Sequence, residues 1–178
     1  MTNTEGKVRE AQHILGEEFQ VEQRKIDLDE IQTVEGKEVI QKKAEEAYRI
    51  LNQPILVEDT SLYFDAWNGL PGALVRWFLD TVGCEGICKM MSSERNRKAF
   101  SESAIAYYDG KILKVVLARV RGKIPDLPKG NKGFGWDPIF IPDGKEKTFG
   151  EMEMFEKSQF SSRKLAFEQL KDYFSQLK

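Results

Sequence analysis

One histidine, His13, and two cysteines, Cys84 and Cys88, are all that this 178-residue chain has of the residues used most often for nucleophilic or soft-metal chemistry. With the single histidine inside a predicted first helix, a Ser-His-Asp arrangement is unavailable and acyl-transfer chemistry drops out. Two cysteines in one predicted helix build neither a zinc finger nor a disulfide framework, and they read as ordinary helix residues in a reducing compartment. No apolar stretch approaches the roughly 18 residues of a membrane span, and the N-terminus has no apolar signal core, so a cytoplasmic protein without membrane association is expected. Positive charge is not in excess either: a net charge of -2 leaves no strongly basic surface to hold nucleic acid through its phosphates.

What is present is a globular composition, with 40% hydrophobic, 11% aromatic and 31% charged residues and no Ser, Gln or Pro tract. Repeats, long linkers and low-complexity segments are absent, so one domain over residues 1–178 is expected. Val8, Ala11, Ile14 and Leu15 recur at helical spacing until Gly16 offers a C-cap. Phe19, Val21, Ile26 and Leu28 point to an extended segment ending in an acidic run. Val39, Ile40, Ala44, Ala47, Ile50 and Leu51 mark an amphipathic helix that Asn52, Gln53 and Pro54 end.

Ile55, Leu56 and Val57 form a compact apolar run that passes into Glu58, Asp59, Thr60 and Ser61, predicting two carboxylates at the end of a buried strand. Two helical stretches follow, around 75–81 and 85–91. Residues 99–108 and 112–120 read as strands joined by the hairpin signal Asp109-Gly110. A glycine-rich loop at 130–138 leads to a short strand at 139–141. The closing helix carries a predicted apolar stripe of Leu165, Ala166, Leu170, Tyr173, Phe174 and Leu177. This pattern is that of an α/β or α+β unit.

Hard divalent cations take carboxylate oxygens, so Glu58 and Asp59, with Glu30 added from the acidic run, are candidate metal ligands able to ready a water. Read alone, such a pair is more often a solvated loop. Lys7, Lys42, Arg76, Lys157 and Arg163 lie near predicted helix starts or turns, where phosphate oxygens are held well. Residues 2–7 lack the first glycine and the final Ser or Thr of a P-loop. In the glycine-rich loop, Gly130, Gly133 and Gly135 permit close backbone approach while Phe134 and Trp136 offer flat faces for a base. Asp137 there either accepts a hydrogen bond from a purine N–H or begins the turn at Pro138.

Taken together in order, these motifs resemble the inosine triphosphate pyrophosphatase family, which acts on non-standard purine nucleoside triphosphates. The resemblance rests on residues 2–7 with the helix after them, 27–32, 57–62, 69–72 with Arg76-Trp77-Phe78, 133–138, and Lys157 with Ser161-Ser162-Arg163. It implies an elongated α/β fold with a mixed central sheet flanked by helices, two lobes around a central cleft, and a homodimer. It implies a magnesium-dependent hydrolysis in which water attacks the α-phosphorus of ITP, dITP or XTP and pyrophosphate leaves. Carried over by position, Glu30, Glu58 and Asp59 are metal-site residues, with Asp59 also the catalytic carboxylate that readies the water. Thr2, Lys7, Lys42, Thr60 and Arg76 contact the phosphates and their surroundings. Phe134, Gly135, Trp136 and Asp137 receive the nucleoside, and Lys157, Ser162 and Arg163 lie at the base. The family pattern has His-Arg where this chain has Ser162-Arg163, which raises the alternative of a changed base preference. Only Met1 stands where an apolar strand usually precedes the first turn, which raises that of a nucleotide-binding relative with impaired turnover.

Overall fold

The computed structural model describes residues 11, 12, 14–17 and 19–176. Residues 11, 12, 14 and 15 are helical, and Gly16 follows at φ 87° as the left-handed C-cap that its lack of a Cβ allows. Among the described residues from there to residue 35 the backbone forms no regular element, so the alternating apolar residues of 19–28 are not assigned to a strand.

Helix α1 (Gly36–Leu51) follows, capped by Asn52 in the left-handed conformation. Strand β1 (Ile55–Phe64) comes next, then the two-residue β2 (Pro71–Gly72), helices α2 (Val75–Thr81) and α3 (Gly83–Met90), and the long strands β3 (Lys98–Tyr108) and β4 (Leu113–Lys123). After the glycine-rich loop come a turn of 3-10 helix (Asp137–Ile139), β5 (Ile141–Pro142), the short α4 (Met154–Ser158) and α5 (Ser162–Gln176). The strands form one sheet in the order β2-β1-β3-β4-β5. All four pairings among the described residues are antiparallel, and the α/β class with a central sheet flanked by helices holds.

β1 corrects the expectation of a strand ending at Val57. It runs ten residues because Thr60, Ser61, Leu62, Tyr63 and Phe64 all pair in register with β3, from Thr60 opposite Ser103 to Phe64 opposite Ala99. The β3–β4 hairpin closes where the sequence signalled it. Gly110 takes φ 88° and the Asp109 carboxylate accepts the backbone N–H groups of Lys111 and Ile112, an Asx turn that fixes the register.

The two faces of the sheet are covered by α1 and by α5, with Ala11 and Leu15 of the first helical residues beside α5. Ile40, Ala44 and Ala47 of α1 pack on Ile55, Ala104 and Ala106, and Ala166, Phe167 and Leu170 of α5 pack on Ile105, Val116 and Ala118. Small alanines in the strands let both helices approach closely. Leu165, predicted as part of the apolar stripe, is instead exposed, and Phe167, which the stripe omitted, is buried, while Leu177 lies outside the described residues. A third cluster, with Leu62, Phe64, Ile87, Met91, Phe140 and Phe149, fills the far end of the molecule. Residues 139 and 140 are not strand: Ile139 completes the 3-10 turn and both side chains are buried there. Beside the first half of β1 lies a cavity of about 660 Å³ whose lining includes Leu15, Phe19, Val21, Ile26, Leu51 and Phe174. Its lining also carries the charged side chains of Glu22, Arg24 and Glu58.

Candidate active site

Because side chains alternate along a strand, the extension of β1 past Val57 sends Glu58 and Asp59 to opposite faces. Glu58 shares the α5 face with Leu56, Thr60 and Leu62, and Asp59 shares the α1 face with Val57, Ser61 and Tyr63. Each carboxylate has its own cation, and two groups of charged residues result.

On the α1 face, Lys43 Nζ bonds a carboxylate oxygen of Glu30 and lies 3.4 Å from Asp59 Oδ1. Burial by itself pushes the Lys43 pKa down, but the charges of Asp59 and Glu30 outweigh it and hold the ammonium above the ordinary lysine value. Lys43 was not singled out by the sequence. Its neighbour Lys42 was, yet the Lys42 side chain is 60% exposed and pairs with Glu45 on its own helix. The signal that separates them is periodicity: Lys43 lies one turn from buried Val39 and Ala47, on the side of α1 turned to the sheet. Glu30 and Arg76 line a small cavity of about 120 Å³ together with Trp77 and Asp80. There Arg76 Nε donates to Asp80 Oδ2 at 2.6 Å, and Trp77 bonds the side chain of Gln32.

A buried polar cluster supports this face. The Gly36 N–H donates to Tyr63 Oη at 3.0 Å, Tyr63 donates to Glu102 at 3.1 Å, and Arg119 Nε donates to Glu102 at 2.6 Å. Tyr63 is pushed up to about 12 by its burial and the adjacent Glu102 charge, so the phenol keeps its proton and its link to the start of α1.

On the α5 face, Arg163 Nε donates to Glu58 Oε1 at 2.6 Å. Its guanidinium carbon lies 5.3 Å from the centre of the Phe134 ring, and Lys157 Nζ lies 4.6 Å from the same ring. Phe134 is half-buried. The Asp137 carboxylate, fully buried, accepts Lys157 Nζ at 2.6 Å and the Phe134 N–H at 2.7 Å. Asp137 therefore organises the loop, as its place before Pro138 allowed. Gly133 is required here: it sits at φ +76°, and a Cβ would come to 2.0 Å from Asp137 Oδ2.

The remaining sequence candidates fall in three ways. Thr60 lies on the Glu58 face opposite Ser103, and Gly135 turns at φ +59° with its carbonyl 3.4 Å from Cys84 Sγ. Trp136 is 7% exposed and packs edge-on against Phe140 in the third cluster, so its ring is a core element and not a free stacking face. Ser162 is buried at the start of α5, bonded to Ser103 Oγ at 2.8 Å and near Ser101 Oγ at 3.4 Å. Thr2, Lys7 and His13 lie outside the described residues. The three carboxylates Glu30, Glu58 and Asp59 do not gather at one point, and among the described residues no group of three or more His, Cys, Asp or Glu side chains could hold a metal ion. Glu30 and Asp59 remain together.

Known proteins are similar to this chain along nearly its whole length. An inosine triphosphate pyrophosphatase 2 of Trypanosoma cruzi is 40% identical over 178 residues, 98% of this chain and 90% of that protein. A dITP/XTP pyrophosphatase of Methanopyrus kandleri is 38% identical over 176 residues, 97% of this chain and 93% of that protein. Among solved structures, the Ham1 protein of Staphylococcus aureus matches with a TM-score of 0.79 at 27% identity, over 86% of this chain and 82% of that one. A family model described as the Ham1 family matches residues 1–173, and the chain belongs to the Ham1 family.

Proposed function

We propose that this chain is a nucleoside triphosphate pyrophosphatase, working as one domain, that hydrolyses ITP, dITP and XTP to the monophosphate and pyrophosphate. The observation that carries the reading is the pair of cations, Lys157 and Arg163, held against the Phe134 ring. A purine stacked at that ring meets N–H donors, which favour the 6-oxo group of inosine and xanthosine over the 6-amino group of adenosine. Relatives named as inosine triphosphate and dITP/XTP pyrophosphatases support the substrate class.

Magnesium is the cation that the family resemblance implies, and the donors suit it. Glu30 and Asp59 supply hard oxygens from two segments, which the Lys43 ammonium holds near each other. Magnesium is commonly held by one or two carboxylates together with substrate phosphate, so a third carboxylate is not needed. Held by Glu30 and Asp59, it would offset phosphate charge and make a water easier to deprotonate. Asp59 accepts the proton of the attacking water, whose oxygen forms the new bond to the α-phosphorus as the bond to pyrophosphate breaks. Arg76, beside Glu30, and Thr2 and Lys7 contact the phosphates. Glu58 acts through Arg163, fixing that side chain against Phe134.

The protein works in the cytoplasm as a homodimer in this reading, a second copy covering exposed apolar side chains such as Trp77. Sedimentation at micromolar concentration tests the dimer. The activity is tested by pyrophosphate release from ITP, XTP, dITP, GTP and ATP with and without magnesium. Magnesium-dependent release confined to ITP, XTP and dITP is expected. Preference for another base shifts the reading to a pyrophosphatase of different specificity, and silence with all five overturns it in favour of a binding protein.

A further inference from the structure

Glu30 comes from the irregular segment before α1 and Asp59 from the middle of β1, and Lys43 Nζ is bonded to the first and 3.4 Å from the second. The lysine side chain is only 17% exposed, so its ammonium is held inside the site and is not a passing surface contact. An ammonium is a compact point charge. Placed between two carboxylates, it fills the position that a divalent cation held by the same oxygens would take, and two cations cannot share that position.

Resting on the metal-dependent reading above, we propose that Lys43 is a positioning residue that occupies the divalent-cation position between Glu30 and Asp59 in the nucleotide-free protein. Its four-carbon stem lets the ammonium leave when phosphate oxygens offer a replacement partner. Free protein therefore binds a divalent cation weakly, and cation and triphosphate enter together. Lys43 keeps the two carboxylates from repelling each other in the meantime and prevents the site from loading without substrate.

The test is Mn2+ binding to nucleotide-free protein, followed by electron paramagnetic resonance, for the wild type, Lys43→Met, Lys43→Arg and Lys42→Met. Lys42→Met removes the same charge one position away from a side chain that pairs with Glu45 instead. Lys43→Met is expected to bind Mn2+ about tenfold or more tightly than wild type, the direction set by removing a like charge at contact distance. Lys43→Arg and Lys42→Met should stay close to wild type. Unchanged or weaker Mn2+ binding by Lys43→Met overturns the proposal, as does an equal gain in Lys42→Met, which would reflect net charge alone. Thermal melting of each variant confirms folding, with Lys43→Gln used if Lys43→Met does not fold. Pyrophosphate release is scored separately, so loss of the proposed activity and loss of this metal effect are told apart.

Discussion

Glu58 and Asp59 are consecutive residues of β1, yet Glu58 accepts Arg163 Nε at 2.6 Å on one face of the sheet while Asp59 lies 3.4 Å from Lys43 Nζ on the other. Two carboxylates that look equivalent in the sequence therefore have different work. Asp59→Asn is expected to cut turnover about 100-fold or more with folding intact, the scale for losing a positioned proton acceptor. Steady-state kinetics beside a thermal melt measure both; near-normal turnover removes Asp59 from the chemistry.

Glu58→Gln should act first on stability. Both partners of the Glu58–Arg163 pair are largely buried, so Glu58→Gln removes a charge-assisted hydrogen bond from a low-dielectric setting, a loss on the order of 1.5–3 kcal/mol. Urea denaturation reads it. A midpoint equal to wild type would mean that the guanidinium finds another partner.

The two aromatic residues of the glycine-rich loop should separate in the same manner. Phe134→Ala is expected to weaken nucleotide binding by about 1–3 kcal/mol, the scale of a lost base stack, while leaving the melting temperature nearly unchanged. Trp136→Ala removes a core side chain packed on Phe140 and Phe149 and should cost about 3–5 kcal/mol of stability. Calorimetric titration of each variant with ITP, beside its melting curve, decides whether the assignments are the right way round.

Both thiols should be slow to alkylate. Burial pushes Cys84 up, helped by the Asp137 charge, and pushes Cys88 up to about 11. The thiolate is the nucleophile, so labelling by iodoacetamide at pH 7 should lag well behind that of an unburied cysteine peptide and accelerate as pH rises. Because the folded state holds Cys88 neutral, its contribution to stability is present below the ordinary value of 9.0 and is lost as pH rises towards 11. Mass spectrometry over a pH series checks the rates; fast labelling at pH 7 would contradict the burial.

Local signals that need no distant partner were legible in the sequence. The apolar periodicity of α1, the turn at Asp109 and Gly110, the glycine-rich loop and the identity of Glu30, Asp59, Lys157 and Arg163 as candidates all follow from short-range pattern and side-chain chemistry. Less legible was anything set by pairing with a remote segment. The length of β1 depends on β3, some forty residues on by register, from Leu62 opposite Ser101 to Phe64 opposite Ala99. Trp136 looks like a stacking face because its burial is decided by Phe140 and Phe149, and Lys42 is told from Lys43 by which side of α1 meets the sheet.

By itself, then, the sequence determined the chemistry available: carboxylates for a hard cation, cations for a phosphate or a 6-oxo base, and no histidine or cysteine set for the alternatives. Only the tertiary structure decided the allocation. Strand alternation divides neighbouring Glu58 and Asp59 between two faces, and packing against α1 and α5 supplies each with the cation it meets, because which groups touch is fixed by contacts across the fold and not by order along the chain.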